Sequence, residues 1–305
     1  MLAGDVRAMA RAITLIEDGA PEAAPLVATL FPHAGRGLVV GITGPPGAGK
    51  STLVDRLTAH LRVRGRTVGV IAVDPTSPFT GGAILGDRIR MQSHAVDDGV
   101  FIRSMATRGH LGGLAAATAH AITVLSAAGK DVVLVETVGV GQGEVEIVGA
   151  VDVSLVVLVP GLGDEVQALK AGIMEIADVF VVNKADREGV DRLVTELHSM
   201  LSMAGPDVET PEIVKTVATE DTGTSAVLDA IDAFRGRAEA SGLLARKQRA
   251  HLGQQFQETL RERILGRLEE RALGGGERER ILDRLAARQT DPFTATDEVL
   301  RKVGL

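Results

Sequence analysis

Leu38-Val39-Val40-Gly41-Ile42-Thr43-Gly44-Pro45-Pro46-Gly47-Ala48-Gly49-Lys50-Ser51-Thr52 opens as a β-branched apolar run of the kind that fills a buried strand. It then breaks into Gly and Pro and restarts at Lys50 with a helical pattern. Gly44, Gly49, Lys50 and Ser51 stand at the spacing of the phosphate loop, G-x-x-x-x-G-K-[ST], in the strand–loop–helix setting the motif requires. The chemistry needs these residue types. Glycines let backbone N–H groups converge on the α- and β-phosphates with no Cβ in the way. The new helix turns its positive end to the same anion. Lys50 can reach the β- and γ-phosphates, and the Ser51 hydroxyl can ligate Mg²⁺. The stretch therefore specifies a protein that binds a nucleoside triphosphate, with Gly44, Pro45, Pro46, Gly47, Ala48, Gly49, Lys50, Ser51 and Thr52 as its nucleotide-binding loop.

Apolar runs alternate with helical patterns from this stretch to about residue 231. The expected strands are Leu38–Thr43, Thr67–Val73, Val100–Ser104, Asp131–Glu136, Val153–Val159, Val179–Val182 and Glu212–Val217. Between them, helices are expected at Lys50–Arg64, Gly113–Ala127, Glu165–Ala177 and Arg187–Met203. Strict alternation, with strands apolar on both faces, specifies an α/β, doubly wound, mainly parallel sheet. Ligands of such sheets bind at the carboxyl ends of the strands.

The remaining motifs fall at those ends. Asp74, in Asp74-Pro75-Thr76-Ser77-Pro78, sits in a loop stiffened by two prolines, where its carboxylate faces Mg²⁺ or the attacking water, or simply makes an Asx turn. Asp87 belongs to the Gly81–Met91 segment, which reads equally as a mobile segment or a solvated helix start. Glu136-Thr137-Val138-Gly139 occupies the place where P-loop GTPases carry Asp-x-x-Gly, with the carboxylate on Mg²⁺ through water and the Gly N–H on the γ-phosphate. Val140 follows, where Ras-like GTPases keep a water-orienting Gln, and Gln142 lies two places later. Slow intrinsic hydrolysis is the expectation. Asn183-Lys184-Ala185-Asp186 has the N-K-x-D form, whose Asp accepts the guanine N1–H and 2-amino group that adenine cannot offer. Val217, Ala218 and Thr219, after the last strand, are placed to give backbone N–H groups to guanine O6. These assignments predict that Lys50→Ala loses triphosphate binding and Asp186→Asn loses GTP preference.

Flanking these motifs, residues 1–37 read as two short helices forming an N-terminal extension. Residues 38–236 read as the P-loop domain, and 237–305 as a helical arm. In that arm a helix from Leu243 to about Leu273 carries Leu252, Phe256, Leu260, Ile264 and Leu268 at i, i+4 spacing. Gly274-Gly275-Gly276 breaks it, a helix from Glu277 to Ala287 follows, and another begins at Pro292. The apolar stripe needs a cover, either the nucleotide domain or a second subunit.

Composition bounds the rest. The 305 residues are 45% hydrophobic, enough for a substantial core. There is no cysteine, which excludes disulfides, thiolate metal sites and Cys nucleophiles. There is no Trp or Tyr and the formal net charge is −7, which argues against nucleic acid as a partner. The seven histidines form no H-x-H or H-x-x-x-H cluster. No apolar run is long enough to span a membrane and the N-terminus lacks a signal-peptide pattern, so a cytoplasmic location is expected.

The combined signatures resemble the MeaB/ArgK-type GTPases that accompany methylmalonyl-CoA mutase. They run from Gly44–Thr52 through Asp74–Pro78, Gly81–Met91, Arg103–Gly109, Leu111–Leu114, Glu136–Gln142 and Gly163–Lys170 to Asn183–Asp186. The resemblance implies a GTPase, using GTP/GDP and Mg²⁺, that gates adenosylcobalamin delivery to a cobalamin-dependent acyl-CoA mutase and protects it. It implies a homodimer through the C-terminal helices. It assigns Lys50, Asp74, Asp87 and Glu136 to catalysis, with Ser51, Asp74, Asp87 and Glu136 serving Mg²⁺. It implies that Gly139 and Gln142, with Asp164, Gln167 and Lys170 of an extra switch, relay nucleotide state to the mutase. Val217-Ala218 departs from the Ser-Ala of many relatives at the guanine-O6 contact. Two alternatives stand beside this reading. One is a phosphotransferase (kinase) linked to amino-acid transport, for which no phosphoacceptor signature is present. The other is a nickel or cobalt metallochaperone, which would carry His-rich or Cys-containing metal sites that this chain lacks.

Overall fold

Seven strands, β1 (Leu38–Thr43), β2 (Val68–Asp74), β3 (Val100–Ala106), β4 (Val132–Thr137), β5 (Val153–Leu158), β6 (Val179–Val182) and β7 (Glu212–Lys215), form one parallel sheet ordered β3-β2-β4-β1-β5-β6-β7 in the computed structural model. The structure describes residues 2, 4–74, 92–94, 96–106, 113–137, 151–161, 176–204 and 210–304. The helices among them are α1 (Val6–Glu17), α2 (Ala23–Leu30), α3 (Lys50–Val63), α4 (Gly113–Ala127), α5 (Val190–Leu201), α6 (Thr224–Ala240), α7 (Leu243–Ala272), α8 (Glu277–Ala286) and α9 (Pro292–Lys302). The chain divides into two compact units, residues 1–251 and 252–305.

Every residue of β1, β4, β5 and β6 is buried, because helices cover both faces of the first unit's sheet. The period of two along a strand sorts side chains between the two layers. In β1, Val40 and Ile42 join Leu53, Leu57, Ile231 and Phe234 of α3 and α6. Val39 points to the other face, into a core with Met9 and Ile13 of α1 and Leu125 of α4. Beyond β5, Val156 and Phe180 pack with Leu193 and Leu197 of α5. β1 is the strand at which growth of the sheet reverses: β4, β2 and β3 lie on one side, β5 to β7 on the other. Its carboxyl end is therefore the place where a doubly wound sheet offers a crevice.

Several element ends differ from the sequence expectation, each for a local reason. β3 runs on to Ala106 because Met105 and Ala106 continue the parallel pairing with Val73 and Asp74 of β2. β7 stops at Lys215, because the Thr216 hydroxyl turns to Asn183 and Val217 pairs with Thr222 in an isolated bridge. α5 starts at Val190 rather than Arg187, after Gly189 in the left-handed conformation (φ 90°). The expected helix Glu165–Ala177 lies outside the described residues except at its end.

α7 is moored at its start. Leu243 and Leu244 pack against the core, Lys247 Nζ donates to Asp178 Oδ2 (2.5 Å), and Gln248 Nε2 donates to Asp152 Oδ1 (2.9 Å). The two aspartates also accept the backbone N–H groups of Ser154 and Val39, which ties the helix to the amino ends of the strands. In the second unit, Arg284 makes a two-pronged pair with Glu298 (2.8 and 3.1 Å), joining α8 to α9. Leu252, Phe256, Leu260 and Ile264 of α7 are exposed. Among the described residues, no helix is long and apolar enough to cross a membrane.

Candidate functional site

The turn after β1 is shaped by three glycines in conformations that L-residues rarely adopt: Gly44 (φ 140°), Gly47 (φ 74°) and Gly49 (φ 89°). At two of them space is also lacking. A Cβ on Gly44 would lie 2.1 Å from the Val157 carbonyl oxygen of β5, and one on Gly49 would lie 2.4 Å from Asn183 Nδ2. Gly49 caps α3, so Lys50 and Ser51 occupy the first helical turn. Lys50 is buried, and its ammonium bends back to donate to the carbonyls of Gly44 (2.7 Å) and Pro45 (3.0 Å).

β4 lies beside β1 with Ile42 opposite Glu136. That pairing brings the Glu136 carboxylate to the first turn of α3, where Ser51 Oγ donates to Oε1 at 2.6 Å. One residue on, Thr137 Oγ1 donates to Thr43 Oγ1 (3.0 Å), so buried hydroxyls lock the two strand ends together. Asp74 ends β2, the strand on the far side of β4, in which Val73 pairs with Thr137. The Asp74 side chain, Asp87, Gly139, Gln142, Asp164, Gln167 and Lys170 lie outside the described residues.

Asn183, at the end of β6, joins the phosphate loop to the segment after β7. Its Nδ2 donates to the Ala48 carbonyl (2.8 Å), while Oδ1 accepts from Thr216 Oγ1 and the Ala218 N–H, both at 3.1 Å. Lys184 takes a left-handed conformation (φ 56°), and its Nζ donates to the Gly47 carbonyl (2.7 Å). Asp186 is exposed beside this network. The Val217 N–H donates to the Thr222 carbonyl (3.0 Å), so the Val217 and Ala218 N–H groups expected to face O6 both make bonds within the protein. The hydroxyls of Thr43, Thr137 and Thr216 were not separable by sequence from ordinary strand threonines. Arg56, which donates to the Ala218 carbonyl (3.2 Å), carried no sequence signal.

The arrangement gathers groups whose chemistry suits a phosphate anion. A loop of glycines and a helix start offer N–H groups to an anion, with a buried ammonium beside them. Ser51 and Glu136 form a pair of hard oxygen donors suited to Mg²⁺. Among the described residues there is no cluster of three or more His, Cys, Asp or Glu groups.

A family model described as methylmalonyl Co-A mutase-associated GTPase MeaB matches residues 9–272. The chain belongs to the MeaB family. A candidate GTPase of Pyrococcus abyssi is 50% identical to it over 307 residues, covering 99% of this chain and 94% of that protein. GTPase ArgK of Escherichia coli is 36% identical over 274 residues, covering 87% and 83%. A crystal structure described as a LAO/AO transport system kinase matches with a TM-score of 0.72 at 27% identity, covering 100% of this chain and 95% of that one. As a MeaB-family member the chain binds guanine nucleotide and is a GTPase. The phosphate loop, the Glu136 strand end and the Asn183 turn thus belong to one nucleotide-hydrolase fold.

Proposed function

We propose that this GTPase gates adenosylcobalamin delivery to a cobalamin-dependent acyl-CoA mutase, methylmalonyl-CoA mutase or a relative, and protects it. The family description supports the client, since it names a methylmalonyl-CoA mutase-associated GTPase. The observation that carries the chemistry is the Asn183 bridge, which ties the phosphate loop to the base-reading segment in one buried network. In this reading Lys50 leaves the Gly44 and Pro45 carbonyls for the β- and γ-phosphates. Ser51 and Glu136 hold Mg²⁺, which when bound neutralises phosphate charge, and Asp74 and Asp87 serve the metal and the attacking water. Asp186 accepts the guanine N1–H and 2-amino group, and the Val217–Thr219 turn faces O6. Gly139, Gln142, Asp164, Gln167 and Lys170 pass the nucleotide state to the mutase as a population shift of loops. The exposed stripe of α7 is the surface through which two copies pair. The kinase reading is not favoured, because relatives across the whole chain carry the name GTPase.

The test is GTP and ATP turnover by the purified chain, alone and with methylmalonyl-CoA mutase of the same organism. Slow GTP hydrolysis that accelerates with the mutase, with ATP inert, is the expected result. GTP turnover indifferent to the mutase would remove the client. Phosphate appearing on an acceptor rather than in solution would revive the kinase.

A further inference from the structure

The turn after β7 is gripped from two sides. Asn183 Oδ1 holds the Thr216 hydroxyl and the Ala218 N–H on one side. On the other, Arg56 in the second turn of α3 donates from Nε to the Ala218 carbonyl (3.2 Å) and from Nη2 to the Thr219 carbonyl (3.5 Å). One turn further along the same face, His60 Nε2 meets the Asp221 carboxylate at 2.9 Å. Asp221 ends the short turn in the left-handed conformation (φ 58°). Burial pushes its carboxyl up, but the His60 bond, with smaller help from its other neighbours, outweighs this and leaves it below its ordinary value.

We propose that Arg56 is a positioning residue for base recognition, holding the Ala218–Thr219 peptide so that its N–H faces the nucleotide base. This rests on the reading of Val217–Thr219 as the wall that meets guanine O6. In a trans peptide the carbonyl and the N–H point opposite ways. Drawing the Ala218 carbonyl onto Arg56 therefore aims the Thr219 N–H away from α3. No peptide bond here is cis. The planar fork of a guanidinium suits two successive carbonyls, which an ammonium on a flexible stem does not. The helix that carries Arg56 also begins at Lys50, roughly 9 Å away along its axis. One rigid helix thereby sets the spacing between the phosphate loop and the base wall.

The experiment compares binding of GDP and of 6-thioguanosine diphosphate, which keeps N1–H and the 2-amino group but replaces O6 with a poor acceptor. The wild-type chain prefers GDP. Arg56→Ala weakens GDP by on the order of tenfold and narrows its preference over the thio analogue, while Arg56→Lys recovers part of both. With GTP the change falls on KM, and kcat at saturation stays within about twofold. Arg64→Ala removes a guanidinium at the C-cap of the same helix that pairs with Asp229 and Asp232 instead, and it binds GDP as wild type does. A normal wild-type preference left unmoved by Arg56→Ala, or an equal loss in Arg64→Ala, overturns the role of Arg56. A wild-type chain that holds both nucleotides equally overturns the O6 reading of the turn itself.

Discussion

Ser51 Oγ and Glu136 Oε1 lie 2.6 Å apart although 85 residues separate them in the chain. Two features of the fold join them. Parallel pairing sets Ile42 of β1 opposite Glu136 of β4, and α3 leaves the phosphate loop directly above that strand end. The hydroxyl and the carboxylate are thus held by the sheet rather than by a loop, which is how a site keeps its oxygen donors in place.

Glu136→Gln keeps the shape of the side chain and an oxygen to accept from Ser51, but removes the charge. The variant is expected to fold normally and to lose GTP turnover by about 100-fold, the scale on which a transition-state electrostatic contact acts. GDP affinity measured without Mg²⁺ stays unchanged. Ser51→Ala is expected to flatten the Mg²⁺ dependence of GTP binding. Single-turnover kinetics and nucleotide titrations with and without Mg²⁺ check both, and turnover of Glu136→Gln within threefold of wild type sinks the assignment.

Asn183 is buried and makes three hydrogen bonds to the Ala48 carbonyl, the Thr216 hydroxyl and the Ala218 N–H. Asn183→Ala strands all three partners in a region closed to water. The expected cost is about 3 kcal/mol of stability, read from urea unfolding of the nucleotide-free chain, together with loss of nucleotide affinity. A cost below about 1 kcal/mol would mean that the bridge does not hold the loop to the turn.

The strands of the sheet were legible because β1 and β6 are unbroken apolar runs, and their observed limits, Leu38–Thr43 and Val179–Val182, are those expected. The pairing of β4 with both β1 and β2 was not legible, since register between distant strands depends on tertiary packing. The same limit applies to the N-terminal extension. Sequence alone gives its first helix an apolar face of Ala8, Ile13, Leu15 and Ile16, but the buried residues are Met9, Ala12, Ile13 and Ile16, with Ala8 and Leu15 only half-buried, because the packing of α1 on the sheet and α4 decides the face. At the site, motif spacing announced Lys50, Ser51, Glu136 and Asn183, each of which has a chemical reason to be where it is. Arg56 acts on the backbone of the turn after β7 and Thr216 on the side chain of Asn183, and nothing in their own neighbourhood signals those partners.

Two carboxyls are expected to tilt stability with pH in opposite directions. Asp131 accepts from the Thr67 N–H (2.7 Å) and hydroxyl (2.8 Å), which hold its carboxyl below the ordinary 3.8. Its folded form thus binds fewer protons than the unfolded chain, so its stabilisation is present above about pH 4 and is lost as the pH falls through its folded value. Asp178 is raised by burial, with the Lys247 charge opposing, so its folded form keeps the proton longer and stability declines as the pH climbs from 3.8 through its folded value. Melting temperatures recorded from pH 3 to 7 should show Asp131→Asn with a shallower acid limb than wild type, and Asp178→Asn with a steeper one. Parallel curves for all three chains would contradict both assignments.

Leu252, Phe256, Leu260 and Ile264 recur every four residues on one face of α7 and are 45%, 67%, 46% and 43% exposed in the single chain. Burying such a stripe is worth more than leaving it wet, at about 25 cal/mol for each Å² removed from water, and a second copy supplies the same stripe by symmetry. Sedimentation velocity at micromolar concentration is expected to give a dimer for the wild-type chain and a monomer for Phe256→Glu combined with Leu260→Glu. Because these side chains already face solvent within one chain, the double variant should fold and keep its GTP turnover. That distinguishes a lost interface from a lost fold. A wild-type monomer, or a double variant that still sediments as a dimer, would place the pairing surface elsewhere or remove it.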